Sequence, residues 1–236
     1  MIFSRRSICA AFLIAAAAPL LGASGAGAAT IFATPSAGEQ DLNDILAADG
    51  YSHAGSIADL NANQSLSEIF GSLANQNSFT LVIEEASGRD LNELGIYSFL
   101  DNSLREVIFA GSDSALSSAS LVFGVGGIET INGSVVASGF GSEFGFYLRN
   151  RKRDFIWFSE QSRNTDGFDH FVAFEENNVL WGAFEDTPDG GDGDYNDHVF
   201  SMRGISGSAN PIPEPTAGLL FATGMLVVSQ ARRERR

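Results

Sequence analysis

The sequence predicts an all-β domain, a β-sandwich or jelly-roll-like fold opened by one short N-terminal helix, and three observations carry that expectation. From Phe79 onward the apolar residues fall into runs of strand length, each bounded by Gly, Asn, Asp or Ser. With 19 Phe, 26 Gly and 44% hydrophobic side chains in 236 residues, the chain has enough apolar surface for a core and enough turn chemistry to divide it into strands. No long internal period is present, which argues against a solenoid or propeller.

The helix is expected over Asp41–Ala47, where Leu42, Ile45 and Leu46 have helical spacing, with its end near Gly50. Nine strands follow: Phe79–Glu84, Leu94–Tyr97, Glu106–Ala110, Leu121–Val125, Phe144–Leu148, Phe155–Phe158, Phe171–Glu175, Val179–Phe184 and His198–Met202. Asn177-Asn178 reads as a hairpin turn because Asn tolerates positive φ. No internal boundary is visible, so residues 29–208 are expected to form one exported domain.

The two ends have a different character. Residues 1–28 run from Arg5-Arg6 through an Ala/Leu/Ile-rich stretch to Ala26-Gly27-Ala28, the pattern of a secretory signal peptide cut before Ala29. The apolar run favours general secretory export over the twin-arginine route that Arg5-Arg6 hints at. The single cysteine, Cys9, lies in this leader, so thiol chemistry is not expected of the exported domain. Residues 209–236 form the other end. Prolines 211, 213 and 215 exclude a helix; an apolar stretch over 217–231 follows, and Arg232, Arg233, Arg235 and Arg236 close the chain. From Thr216 to Ala231 a helix reaches about 24 Å, and snorkelling arginines make up the roughly 30 Å of a hydrocarbon core. The arginines mark a cytoplasmic membrane stop.

This order, Pro213-Glu214-Pro215, a short apolar transmembrane helix and a terminal Arg cluster, resembles the PEP-CTERM sorting tail of Gram-negative bacteria. The resemblance implies a substrate of exosortase that is held briefly in the inner membrane and then passed to the cell surface or the extracellular biofilm matrix, in association with exopolysaccharide. Pro213, Glu214 and Pro215 would be what that enzyme reads. An ordinary C-terminal anchor is the plainer alternative.

Between the two ends the chain carries 8 basic against 27 acidic side chains, a net of −19, which opposes nucleic-acid binding. Six of those acids fall within Glu185–Asp197. Glu185, Asp186, Asp189, Asp192, Asp194, Asn196 and Asp197 supply hard oxygen donors, and Gly190, Gly191 and Gly193 let the backbone curl around them, a donor set that suits calcium. An EF-hand register begun at Asp192 fails, because Asp197 stands where Gly belongs and Arg203 where the bidentate Glu belongs. A solvated acidic turn is the competing reading.

Leu180-Trp181-Gly182-Ala183-Phe184-Glu185-Asp186 followed by Gly191-Asp192-Gly193-Asp194-Tyr195-Asn196-Asp197 is similar to the signature of an exported, β-rich bacterial family, domain of unknown function 4114. The similarity is expected to be strongest over 79–203 and to take in Gly95-Ile96-Tyr97, Gly145-Phe146-Tyr147 and Asp166-Gly167-Phe168-Asp169-His170. No activity comes with it.

Other chemistries have less support. Asp169-His170 and Asp197-His198 both precede apolar strands and would make a zinc site if those strands were neighbours. The chain lacks G-x-S-x-G, H-E-x-x-H and P-loop motifs, so no enzyme is expected. A polysaccharide-binding module remains the alternative function. It would use Trp157 or Trp181 as a platform, although both sit in apolar runs that suit a core, or the basic run Arg149, Arg151, Lys152 and Arg153.

Overall fold

The computed structural model describes residues 28–32, 38–73, 75–84, 92–136 and 138–208. Leader residues 1–27, the spacer at Pro213–Pro215, the apolar run 217–231 and the terminal arginines lie outside them. Within the described residues no helix is long and apolar enough to cross a membrane.

Two helices come first, α1 (Leu42–Ala48) and α2 (Ile57–Ala62). The second went unread because its sequence, IADLNA, buries only Leu60 and shows no amphipathic period; its start is set by Ser56, whose hydroxyl accepts the Asp59 N–H. Thirteen strands follow: β1 (Phe70–Ser72), β2 (Gln76–Glu84), β3 (Asn92–Ser98), β4 (Arg105–Phe109), β5 (Ser118–Gly124), β6 (Gly127–Ile131), β7 (Ser134–Val135), β8 (Glu143–Asn150), β9 (Phe155–Phe158), β10 (Phe171–Glu176), β11 (Val179–Phe184), β12 (His198–Arg203) and β13 (Ile205–Gly207). All nine expected strands are present, with ends shifted by at most a few residues. β1, β6, β7 and β13 are the additions, and β1 and β13 exist through long-range pairing such as Phe70 with Gly207.

The strands form two antiparallel sheets. One runs β13-β1-β8-β3-β4, with β9 also paired to β8; the other runs β10-β11-β12-β2-β5-β6-β7. Between them lies the main core, in which Phe70, Phe144, Phe146 and Leu148 of the first sheet meet Phe79, Phe171, Phe184 and Phe200 of the second. The Phe146 and Phe200 ring centroids are 4.8 Å apart.

The outer face of the second sheet is covered as well. α1 and α2 bring Leu42, Ile45, Leu46 and Leu60 onto Val172, Phe174, Trp181 and Ala183. β11 is therefore buried on both faces, and for that reason its sequence reads as a continuous apolar run rather than an alternating one. On the outer face of the first sheet, Tyr97 pairs in register with Gly145 and Tyr147 with Gly95. A Cβ on Gly145 would come within 2.2 Å of the Tyr97 ring, and one on Gly95 within 2.4 Å of Tyr147, so each Gly-x-Tyr strand supplies the space for the other's ring. The hairpin turn Asn177-Asn178 has φ of 51° and 62°, the left-handed pair that the two asparagines suggested.

Candidate metal centre

Phe184, at the end of β11, is paired with His198, at the start of β12. The acidic loop 185–197 therefore leaves and re-enters the sheet at one point. Its neck is tied twice more: the Glu185 N–H donates to His170 O at 3.0 Å, and the Asp186 N–H donates to an Asp197 carboxylate oxygen at 2.8 Å. Inside the loop, Asp189, Gly190, Gly191, Gly193 and Tyr195 all have positive φ. At Gly191 a Cβ would lie 2.3 Å from Glu185 Oε1, so the missing side chain is what gives that carboxylate its place.

The loop was expected to gather its donors at one point, and the structure sorts them into two groups. Glu185, Asp186 and Asp197 place carboxylate oxygens within 4.8 Å of one another, and so do Asp192, Asp194 and Glu39, the last of which comes from the segment just before α1. The division is made by Tyr195. Its left-handed backbone turns the chain, its ring is fully buried beneath α1 and α2, and its hydroxyl donates to Asp169 O at 2.5 Å. Asp194 and Asp197 are thereby sent to different groups. Asp189 joins neither; it is exposed, and its N–H donates to Asp166 Oδ2 at 2.9 Å. Asn196 is 1% exposed and ties the second group to the N-terminal segment, its amide nitrogen donating to Asp194 Oδ2 and Gln40 O, both at 2.9 Å.

The two groups differ in burial. Glu185 is 1% exposed, and one of its oxygens, Oε2, has no hydrogen-bond partner. Burial, then the charge of Asp197, pushes the Glu185 carboxyl well above the ordinary range; burial, then Asp186, does the same to Asp197. Asp194 is pushed up to about 6 by burial, with Asp192 adding repulsion. Glu185 and Asp197, both raised and set beside each other, would carry charge at lower cost if a cation joined them. Oxygen donors alone, a buried donor without a partner and a loop curled by glycines fit a hard dication such as calcium, which would take Glu185, Asp186 and Asp197 as ligands.

The zinc arrangement is not assembled. β10 and β12 lie on either side of β11 rather than beside each other. Both ring nitrogens of His170 are taken, Nδ1 at 2.8 Å from Glu185 O and Nε2 at 2.9 Å from Asp166 Oδ2, and the ring stacks on Trp157 with centroids 3.8 Å apart. His198 is fully buried, burial pushes it down to about 3, and it belongs to neither acidic group. The two tryptophans are core residues, as their apolar runs indicated. Trp157 is 3% exposed and donates to Asp186 O at 2.9 Å, while Trp181 is 4% exposed and donates to Asp49 Oδ2 at 2.8 Å. The basic run spans the end of β8 and the turn into β9, with Arg149 3.3 Å from Asp154 and Arg151 3.3 Å from Glu93.

Residues 133–205 match the family model described as a domain of unknown function, DUF4114. The matched segment runs from the turn before β7 to the start of β13 and takes in the whole acidic loop, but it does not extend back to Phe79 or to the Gly95–Tyr97 strand. Comparisons with curated proteins and with solved structures find no significant match. Two residues of the candidate site carry no signal as donors in the sequence. Glu39 lies outside the DUF4114 segment and carries no local signal. Asp166, which holds both His170 and the Asp189 N–H, sits in the Asp166–His170 motif that the sequence offers as part of the DUF4114 resemblance, without a role of its own.

Proposed function

We propose that the chain is an exported, non-enzymatic protein of the cell surface or biofilm matrix, a β-sandwich stabilised by calcium in its acidic loop. Signal cleavage before Ala29 delivers it, and exosortase sorts and processes it at the Pro213–Pro215 spacer while the apolar helix 217–231 and its terminal arginines hold it in the inner membrane. The observation that carries the calcium reading is the buried Glu185, with one oxygen unpartnered and two further carboxylates beside it. When bound, the cation supplies the positive charge these groups need. Asp186 and Asp197 position the loop neck through their own hydrogen bonds, and the β11–β12 pair keeps the donors from spreading apart. The second group is supported as a looser site that joins the segment before α1 to the loop.

Calorimetric titration of calcium into chelator-treated protein tests this. Saturable binding that Glu185→Gln abolishes is expected. Absence of binding, together with identical melting in calcium and chelator, would leave the loop as a solvated turn. Polysaccharide binding has the turn at 149–153 as its support, and both tryptophan rings are unavailable to it. Retention of the domain on the host's own exopolysaccharide, lost when Arg151, Lys152 and Arg153 become Gln, would favour that reading.

A further inference from the structure

Ala28 and Ala29 flank the bond that the leader reading would cut, and the residues that follow it are anchored to the domain. Ala29 O accepts the Gln64 side-chain amide at 2.8 Å, Ile31 exchanges two hydrogen bonds with the Asn61 side chain, and the Phe32 N–H donates to Gly193 O at 2.9 Å in the acidic loop. Ala28 and Ala29 also line a small pocket of about 20 Å³ together with Ser65, Glu68, Ser159 and Asp169. Two carboxylates thus share one pocket. Burial pushes Asp169 up to about 7, with the charge of Glu68 adding to it, and burial likewise raises Glu68. The other charges acting on Glu68 are Glu160 and Arg163, and these two are hydrogen-bonded to each other. In the uncut chain the nitrogen that Ala29 offers is a neutral amide.

We propose that removal of the leader makes this pocket's own ligand: the new α-ammonium of Ala29 pairs with Asp169 and Glu68, so that export processing locks the N-terminal segment onto the sheet. This rests on the leader reading above. Hydrolysis of the Ala28–Ala29 peptide bond consumes one water; the hydroxyl goes to the Ala28 carbonyl carbon and a proton to the Ala29 nitrogen, which takes a second proton from solvent at neutral pH. A cation then joins two half-buried carboxylates that repel each other, on a segment that the Gln64 and Asn61 contacts already hold against the domain.

The test compares three forms of the chain: one released from a fusion so that it begins with a free Ala29, one acetylated at Ala29, and one extended by Ala28 and acetylated there. The free form should melt several degrees above the other two, and its amine should titrate above the ordinary α-amino range of about 7.7–8.0. Asp169→Asn should erase both effects, and the acetylated form, with every side chain intact, keeps the comparison valid if that variant folds poorly. Equal melting of free and acetylated forms, with an ordinary amine titration, would overturn the pairing. Mass spectrometry of the exported protein checks the leader separately. A cut at any other bond would remove the link to export, whatever the pocket does with an amine.

Discussion

Without calcium, the protein should lose stability as pH rises from 5 to 7, and calcium should cancel that loss. Glu185 and Asp197 are pushed above the usual carboxylate range by burial and by their acidic neighbours, while Asp194 is raised to about 6 and Asp169 to about 7. A carboxyl raised in the folded state contributes stability that is complete below its unfolded pKa, about 4.3 for Glu, and is lost as pH climbs through the folded value. Glu185 alone gives a slope of about 1.4 kcal/mol per pH unit in that window, roughly 2.7 kcal/mol between pH 5 and 7. At roughly 2–4 °C per kcal/mol for a domain of this size, the melting temperature should drop by about 5–11 °C. Calcium binds the ionised carboxylates and releases their protons, so its affinity rises along the same axis. In hundredfold excess over Kd it adds about 2.7 kcal/mol, enough to offset the Glu185 loss at pH 7. Scanning calorimetry at pH 5, 6 and 7, in chelator and in calcium, reads both arms. Glu185→Gln should make the chelator slope shallower, leaving the share of Asp197, Asp194 and Asp169, and remove the calcium response. A chelator series that grows more stable from pH 5 to 7, or calcium that leaves every curve unmoved, would refute the reasoning.

Three further outcomes are expected. Gly191→Ala puts a Cβ against Glu185 Oε1 at a left-handed φ of 46°, so it should weaken calcium binding by tenfold or more and cost about 1–2 kcal/mol of stability, read by titration and thermal melting. Phe200→Ala removes a fully buried ring packed on Phe146 and Phe171 and should cost about 3–5 kcal/mol while leaving the melting increment from calcium unchanged, which separates core damage from site damage. Replacing Pro213 and Pro215 together with Ala should leave the domain's melting untouched but make the protein accumulate with Arg236 intact, as mass spectrometry of membrane fractions would show; normal release in a host with the sorting enzyme would count against the tail reading.

Much of the sheet architecture was legible because its signals are local. β9 and β11 begin and end where expected, since Asp154 and Asn177-Asn178 supply left-handed turns and the apolar runs between them are of strand length. Three of the four missed strands, β1, β7 and β13, are too short to carry a local signal. β1 and β13 are three residues each and hold one another across a long sequence separation, and β7 is a two-residue partner of β6. No period can be read from two or three residues.

The candidate site divides in the same way. That the loop 185–197 is acidic, glycine-rich and placed between two strands was determined by the sequence alone, because composition, turn chemistry and strand length are properties of neighbouring residues. That its donors form two groups was decided by the tertiary structure. Burial of the Tyr195 ring beneath the helices turns the backbone between Asp194 and Asp197, and docking of the segment before α1 brings in Glu39. The same packing dries Glu185 and sets its carboxyl against Asp186 and Asp197. A carboxylate's affinity for a proton or a cation depends on what surrounds it in space, and those surroundings exist only once the sheet, the helices and the loop have closed on one another.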